Sequence, residues 1–447
     1  MSSTILLILY GIVLLAIAAA SLKYTDTIDN FLVAGRSQRK VLVVASMLAS
    51  TIGGGLTIGT VNRTYGIGFP AFWFVAAGAL AHFMQGALLS RKVRATEALT
   101  LPDLANKLVG PSVRTITSII VLITWVGITT AQFVAAAKIV SSISGLSHQG
   151  SVLAAASFMV VYTLIGGQKS VLRTDLFQFG FLSIALLAAL AWLFIGSPPP
   201  AGTIRIDIFN ADFGVLDLLY YVIVLGGSYF ICPMMFSRIL SADSADNARK
   251  SSFYSGFGML SFALVVTFIG LWAKASIVDL GGSDPLNFIA RNTLPGALGT
   301  LLIFGLLAAI LSTGDTVLLT AAGVLEHDLL KRKSVAGIRI WTVIIGAIAA
   351  AIALYQTDII GVLIKTYNGY TAGIVPALFV AIVLSGKRKL SPVLTFAAIA
   401  SGYALGTAGS FMPEGSLAAK ILPLSGLVAS GTLALIAAYS PKKALER

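Results

Sequence analysis

Apolar runs long enough to cross a lipid bilayer recur thirteen times along this chain, and that recurrence leaves almost no other kind of fold open. A spanning helix needs about 20 mostly apolar residues, since each residue rises 1.5 Å and the hydrocarbon core is roughly 30 Å thick. Such runs lie at 4–22 (α1), 41–62 (α2), 70–90 (α3), 113–142 (α4), 150–166 (α5), 172–196 (α6) and 216–239 (α7). They continue at 251–277 (α8), 298–326 (α9), 337–355 (α10), 359–385 (α11), 391–411 (α12) and 418–440 (α13). Backbone polar groups in hydrocarbon must be satisfied internally, so these runs are read as helices. The expectation is an all-α membrane protein with 13 transmembrane helices. Of the 447 residues 57% are hydrophobic and 11% charged, whereas soluble domains carry about 25% charged residues. Mean hydropathy is +0.91. The length alone suggests about three soluble domains, but no polar stretch is long enough to form one. The single cysteine, Cys232, excludes a disulfide framework and any multi-cysteine metal or iron–sulfur site. The first apolar run has no basic residue before it and no cleavage site after it, so it reads as a retained helix rather than a signal peptide.

The net charge of +13 invites a nucleic-acid reading that its distribution contradicts. Alternate connectors and the C-terminal tail hold Lys23, Arg36, Arg39 and Lys40; Arg91, Lys92, Arg94, Lys107 and Arg114; Lys169 and Arg173; Arg238, Arg249 and Lys250. Further along come Lys331, Arg332, Lys333 and Arg339; Lys387, Arg388 and Lys389; and Lys442, Lys443 and Arg447. These are 24 of the 31 basic residues. The positive-inside rule then places the N-terminus outside and the C-terminus in the cytoplasm of a cell inner (plasma) membrane, with multiple passes. The positive charge is topology, and no nucleic acid is expected as a partner.

With α1, α12 and α13 set aside, ten helices remain, in two five-helix blocks of opposite orientation. The expected organisation is 1–40 for α1 and a cytoplasmic loop, 41–196 for the first inverted repeat, 216–385 for the second, and 391–447 for α12, α13 and a cytoplasmic tail. Each block opens with a helix interrupted at mid-membrane. In α2 the run is Ser50-Thr51-Ile52-Gly53-Gly54-Gly55; in α7 it is Gly226-Gly227-Ser228-Tyr229 and then Pro233. Three consecutive glycines cost about 3 kcal/mol relative to alanine in a helix interior, and proline removes a backbone hydrogen bond. Interruptions at matching places in two halves point to a transporter binding site, where unwound carbonyls face an ion and helix ends face a solute. Close helix packing through small residues is the other reading of the glycine run.

Two carboxylates fall within or just inside spans: Asp175 in α6 and Asp315 in α9. An aspartate at a helix centre costs about 2.5–3.5 kcal/mol on insertion scales, so neither is expected to face lipid. Glu326 and Asp328 lie nearer the helix end and are expected to be solvated or paired with Lys331 and Arg332. Ser312, Asp315 and Thr316 share one face of α9, and Ala309 sits one turn before Ser312 and Thr313. Hydroxyls, a carboxylate and a free carbonyl suit a hard cation. The alternative is that the hydroxyls bond back to their own helix. For Asp175 the alternatives are a helix cap or a bridge to Arg173. Lys365 in α11 either snorkels outward or faces a transport path, and His82 in α3 is either a hydrogen-bonded core imidazole or part of such a path.

These residues resemble the sodium/solute symporter family, which includes sodium–proline, sodium–galactose and sodium–sialic acid transporters. Asp29-Asn30-Phe31-Leu32-Val33-Ala34-Gly35-Arg36-Ser37 resembles the segment before α2, and Gly166-Gly167 through Thr174-Asp175 resembles the α6 signature. Tyr229-Phe230, Pro233, Arg238 and Ser241-Ala242-Asp243 are similar to the end of α7. Ala309 with Ser312-Thr313-Gly314-Asp315, through Glu326-His327-Asp328, is similar to the α9 stretch. Each motif is loose alone; four in the right order are specific.

The resemblance implies the LeuT-type inverted five-helix repeat, with one N-terminal and two C-terminal helices added. It implies a sodium site between α2 and α9, with ligands from the carbonyls of Ala49, Ile52 and Ala309 and the hydroxyls of Ser312 and Thr313. A second ion site in some members would correspond here to Asp175, Ser312, Asp315 and Thr316. Asp315 stands where some members have a hydroxyl, which leaves sodium, a proton or a structural role open at that place. The solute would lie against Thr51, Gly53, Gly54, Phe72 and Trp73 or their neighbours, Gln132 and Tyr229. The chain has Thr51 where the sodium–proline transporters have an aspartate.

The expected function is sodium-coupled symport of a small, weakly polar or monocarboxylate solute by alternating access. A monomer is expected, with Na+, the solute and the bilayer as its partners. Proton coupling through Asp175 or Asp315 on the same fold is the first alternative. A solute-binding sensor without concentrative transport is the second, and no signalling domain follows Ala444 to support it. An enzyme is not expected, because no nucleophile and base are paired and His82, His148 and His327 fall at different depths.

Overall fold

The computed structural model describes residues 3–20, 27–413 and 415–440, so Lys23, Lys442, Lys443, Arg447 and the expected tail lie outside the described residues. Among the described residues there is no strand, only two isolated bridges, Gln38 with Ala242 and Asn210 with Phe213. Among the described residues each of the thirteen apolar runs falls mainly on helical backbone. By length and apolarity alone, nine helices among the described residues can cross a membrane, or eleven with each bent pair counted as one span. The count of thirteen therefore depends on α1, a shorter apolar helix over Ile5–Ala19, and on how α5 and α6 are divided.

Those two helices are not separated by a loop. His148–Ile195 holds both, and they are divided by a kink at Gly167, the one residue with non-helical angles, φ 58° and ψ −172°. An L side chain rarely adopts that φ. A Cβ at Gly167 would also come within 2.8 Å of the Phe31 ring, carried by the short helix Ile28–Val33. Two helices thus meet at a sharp kink at Gly167, which turns around that ring, and the second helix begins directly after it.

The two broken helices are present as expected. α2 consists of Lys40–Thr51 and Gly54–Ile67, bent by 54°; α7 consists of Val215–Phe230 and Pro233–Ser241, bent by 43°. Around them stand α3 (Phe69–Ala95), α4 (Pro111–Ser144), α8 (Ala245–Ser276), α9 (Gly296–Leu329) and α10 (Val335–Ala353). α11 runs over Ile359–Val383, α12 over Pro392–Ser410 and α13 over Leu417–Tyr439. Small residues set the closest approaches: a Cβ at Gly305 of α9 would lie 2.8 Å from Ala185 of α6, and one at Gly402 of α12 would lie 2.3 Å from the Ala372 carbonyl of α11. Leu14 of α1 is fully buried, whereas Ile5, Ile8, Leu9 and Ile12 are exposed, the pattern of a helix lying on the outside of a bundle in lipid.

Candidate functional site

The α2 helix ends at Thr51. Ile52 takes φ −86° and ψ 72°, Gly53 takes φ −93° and ψ −169°, and helix resumes at Gly54. The glycines admit neighbours that no side chain would allow. A Cβ at Gly53 would lie 2.7 Å from Thr313 Oγ1 and 3.0 Å from Gln132 Oε1, and one at Gly54 would lie 2.7 Å from Ala135. Packing and unwinding are therefore not rival explanations here. The same missing side chains bring α4 and α9 against the unwound turn.

At that turn oxygen atoms converge. Ser312 Oγ lies 2.9 Å from both the Ala49 and the Ala309 carbonyl oxygens. Thr313 Oγ1 lies 3.1 Å from the Ala309 oxygen, 3.2 Å from the Ser50 oxygen and 3.5 Å from the Ala49 oxygen. Four of the five residues expected to hold sodium thus meet directly, and the fifth, Ile52, is the first residue of the unwound turn. All five are less than 5% exposed. The back-bonding to Ala309 expected of hydroxyls within a helix is present, and the same hydroxyls also reach across to α2. Every polar atom in the set is an oxygen, the donor chemistry of a hard cation.

The α7 break is built differently. Ile231 and Cys232 are extended, with φ −118° and −129°, and Pro233 opens the second half-helix. Of the carbonyls freed there, those of Tyr229 and Phe230 accept from Gln85 Nε2 at 2.8 and 2.9 Å, and that of Ile231 accepts from the Tyr370 hydroxyl at 2.6 Å. Gln85 opens a π turn, Gln85–Leu89, inside α3. Its Oε1 is 3.0 Å from His82 Nδ1. An amide oxygen can only accept, so that ring nitrogen carries the proton. His82 is thus a core imidazole that holds the glutamine in place. That is the first of the two readings the sequence allows for His82, whereas Gln85 and Tyr370 carry no local signal for their roles.

A second polar cluster lies toward the Lys/Arg-rich side. Asp175 is fully buried in mid-helix, and it neither caps a helix nor pairs with Arg173. Its Oδ2 accepts from Ser46 in a short bond, from Ser50 at 3.2 Å and from Arg238 Nη2 at 3.2 Å. Arg238 corrects the sequence reading. It was counted among loop cations, but it is fully buried. Its Nη2 also donates to Ser50 Oγ at 2.7 Å and Thr316 Oγ1 at 2.6 Å, its Nε to Ser46 Oγ at 3.0 Å, and its Nη1 to Ser237 Oγ at 3.0 Å. Its position carried a usable signal. Arg238 is five residues beyond Pro233, so it lies only about 7–8 Å along the helix from a mid-membrane break. Asp315 is fully buried next to Thr316, with Oδ1 at 3.3 Å from the Thr316 hydroxyl and Oδ2 without a hydrogen-bond partner. Of the four residues read as a second ion site, Asp175, Asp315 and Thr316 meet through Arg238, while the Ser312 hydroxyl is turned to the α2 carbonyls.

The residues expected to face solute divide. Gly53, Gly54 and Gln132 meet at the α2 break, where Gln132 Oε1 accepts from the Gly54 N–H at 3.3 Å. Thr51 Oγ1 bonds its own helix at Met47 O, 2.6 Å, and touches Met235 Sδ of α7 at 3.4 Å. Tyr229 faces the Tyr367 ring, with centroids 6.2 Å apart. Phe72 and Trp73 sit in the first turn of α3 beside Phe69. The α3 residue opposite Tyr229 is Gly78, where a Cβ would come within 3.5 Å of the ring. Away from the Lys/Arg-rich side, a cavity of about 500 Å³ is lined by Arg63, Tyr221, Lys365, Asn368 and Lys420 among others. Its floor is closed where the Tyr220 hydroxyl donates to Asn368 Oδ1 at 2.6 Å. Lys365 is exposed at this cavity.

Glu326 and Asp328 also differ from expectation. Both are buried, Asp328 pairing with Arg114 at 3.0 Å and accepting from Thr100 at 2.7 Å, and Glu326 accepting from Trp341 Nε1 at 3.0 Å. Among the described residues neither carboxylate forms an ion pair with Lys331 or Arg332, and Arg332 meets Glu326 through the backbone, its N–H donating to the Glu326 carbonyl at 3.0 Å. The sequence reading held the two carboxylates to be structural, and their side-chain partners tie α9 to its neighbours.

A bundle opened by two broken helices, with oxygen ligands turned inward at one break, is the architecture of membrane transporters of the LeuT type. A solved structure of a substrate-bound, outward-open Na+-coupled sialic acid symporter has the same fold, with a TM-score of 0.78 over 97% of this chain and 98% of that one at 14% identity. The chain resembles the sodium:solute symporter family: residues 31–197 match the model of the "Sodium:solute symporter family". It is 24% identical over 417 residues to the sodium/proline symporter of Salmonella typhimurium, covering 85% of this chain and 82% of the relative. It is likewise 24% identical over 426 residues to the sodium/proline symporter of Staphylococcus aureus, covering 87% and 82%.

Proposed function

We propose that this chain is a secondary active transporter that moves a small organic solute together with sodium by alternating access, and that it carries out no catalysis. The observation that carries this reading is the all-oxygen cluster where the unwound turn of α2 meets Ser312 and Thr313 of α9. Sodium there would be held by Ala49, Ile52, Ala309, Ser312 and Thr313. It would tie the broken helix to α9 and favour the state that admits solute. Each sodium moved inward gains about 2.3 kcal/mol per 100 mV of membrane potential. The symporter relatives support the same mechanism.

The solute would lie between Thr51, Gly53, Gly54, Gln132 and Tyr229, reached from the cavity near Lys365. A weakly polar or monocarboxylate solute fits this apolar, aromatic setting. The Lys/Arg-rich side is taken as cytoplasmic, which puts the N-terminus outside and the C-terminus inside a cell inner membrane. The working unit is taken as a monomer, with its two five-helix blocks at 41–196 and 216–385. One observation favours proton coupling as a second reading: the buried, unpartnered Oδ2 of Asp315.

The test is a sodium titration of the thermal stability of purified protein, with potassium and choline as controls. A saturable, sodium-specific shift is expected, displaced to at least tenfold higher sodium in Ser312→Ala and in Thr313→Ala. Absence of any sodium-specific shift in the wild type would overturn sodium coupling and direct the same assay to pH, with Asp175→Asn and Asp315→Asn.

A further inference from the structure

We infer that the groove between α1, α4, α5 and α9 is a site for one acyl chain of a bilayer phospholipid, and that this chain braces α9 against the α2 break. The groove is separate from the polar clusters described above. It is a cavity of about 340 Å³, within the range of small-ligand pockets. Gly11 of α1, Ala136 of α4, Ala154 and Phe158 of α5, and Leu307 and Leu311 of α9 line it. Tyr10 is the only lining residue with a polar side-chain atom, and no lining residue is charged.

Depth selects the occupant. Ala154 and Phe158 lie six and ten residues from the end of α5 at His148, which is about 9 and 15 Å along the helix. One leaflet of hydrocarbon is roughly 15 Å thick. The groove therefore lies beside the chains of the leaflet away from the Lys/Arg-rich side. The α1 surface next to it is apolar and open, with Ile8 59% and Ile12 55% exposed. Water finds no hydrogen-bond partners on such a lining. A void would forfeit the dispersion contacts of every wall. A hydrocarbon chain supplies those contacts and buries no polar group.

The walls join this groove to the sodium turn. At 3.6 residues per turn, Leu307 and Leu311 share one face of α9, and Ala309 and Thr313 fall on the opposite one. Thr313 Oγ1, on that opposite face, reaches the Ser50 carbonyl of α2 at 3.2 Å. On α4, Ala136 follows Ala135, which a Cβ at Gly54 would meet at 2.7 Å. The chain thus lies behind two helices that close on the α2 break, and it resists their movement away from it. Its effect on sodium rests on the sodium reading above; the lipid site itself does not.

The test uses purified protein stripped of lipid in detergent, with palmitoyl-oleoyl phosphatidylglycerol as the added probe. Native mass spectrometry counts retained lipid, and sodium titrations of thermal stability run with and without the probe. Wild type is expected to retain one more lipid than Ala154→Trp, whose indole occupies the groove. The lipid is expected to lower the wild-type sodium midpoint about fivefold, the modest end of coupling between two sites. Ala154→Trp is expected to keep a saturable sodium shift that no longer responds to lipid. Val428→Trp, on the exposed face of α13, is expected to behave as wild type. Dihexanoyl phosphatidylglycerol, with the same headgroup and chains too short to fill the groove, is expected to have no effect. Equal lipid counts in wild type and Ala154→Trp would overturn the site, whatever sodium does. A wild-type midpoint unmoved by lipid would overturn the bracing, as would an equal effect of the dihexanoyl lipid. No sodium shift in wild type, with unequal lipid counts, would overturn the sodium reading and uphold the site. If Ala154→Trp does not survive purification, the long-chain and short-chain comparison on wild type decides.

Discussion

The breaks in α2 and α7 interrupt helices at matching places in the two blocks, yet their freed carbonyls meet opposite partners. At the α2 break the carbonyls of Ala49 and Ser50 face hydroxyls, which can turn their protons aside and accept a cation alongside the carbonyls. At the α7 break the carbonyls of Tyr229, Phe230 and Ile231 are occupied by an amide NH2 and a phenol. The Gln85 amide nitrogen has no lone pair to offer an ion. Similar backbone breaks thus become an all-oxygen cluster, the proposed ion site, in one block and a neutral, donor-capped joint in the other. The difference is set by which side chains the neighbouring helices supply.

The comparison is broken most directly at Gly53. Gly53→Val would drive a side chain into Thr313 Oγ1 and Gln132 Oε1 and is expected to weaken sodium binding by roughly a hundredfold or more, read from the sodium titration of thermal stability. Ser312→Ala removes one ligand and leaves the backbone alone. It is expected to cost about tenfold to a hundredfold in sodium affinity and, because the Ala49 carbonyl loses its nearest donor, about 1 kcal/mol of sodium-free stability.

The α7 joint should show the reverse pattern. Gln85→Leu strands two buried carbonyls and is expected to cost about 2 kcal/mol of stability, seen in sodium-free melting, while sodium affinity stays within about twofold of wild type. Tyr370→Phe removes a single hydroxyl and is expected to cost about 1 kcal/mol with sodium affinity again unchanged. If either variant weakened sodium as much as Ser312→Ala, the division of labour between the two breaks would be wrong.

The α2 site could be read from sequence because its signals are local. Three glycines in an apolar run demand an explanation, and Ser312-Thr313 two residues before Asp315 supply the oxygens on one helix turn. The α7 joint could not, because its partners come from α3 and α11 and neither residue is unusual where it stands. Gln85 in a membrane helix is only polar, and its target is 144 residues away. Arg238 was misread for a related reason. Charge alternation along the loops is strong enough to absorb one more arginine near a span end, and only the depth implied by Pro233 separates it from its neighbours. The same bias assigned Glu326 and Asp328 to Lys331 and Arg332, nearest in sequence, when Trp341, Thr100 and Arg114 hold them in space. Between α5 and α6 the glycines of Gly166-Gly167 mark the division correctly, but the connection is a single positive-φ kink and not a loop of several residues.

The α7 joint also holds the chain's single sulfhydryl. Cys232 is the second extended residue of the break and is 2% exposed. A thiol reacts through its thiolate and only where a reagent can reach it, so in the state described here maleimide labelling should be slow. Opening of the bundle toward either face would alter that rate from the corresponding side. The unmodified protein therefore carries one built-in chemical probe at the joint, and impermeant reagents applied to sealed vesicles of known orientation could time its exposure with no cysteine to remove or introduce.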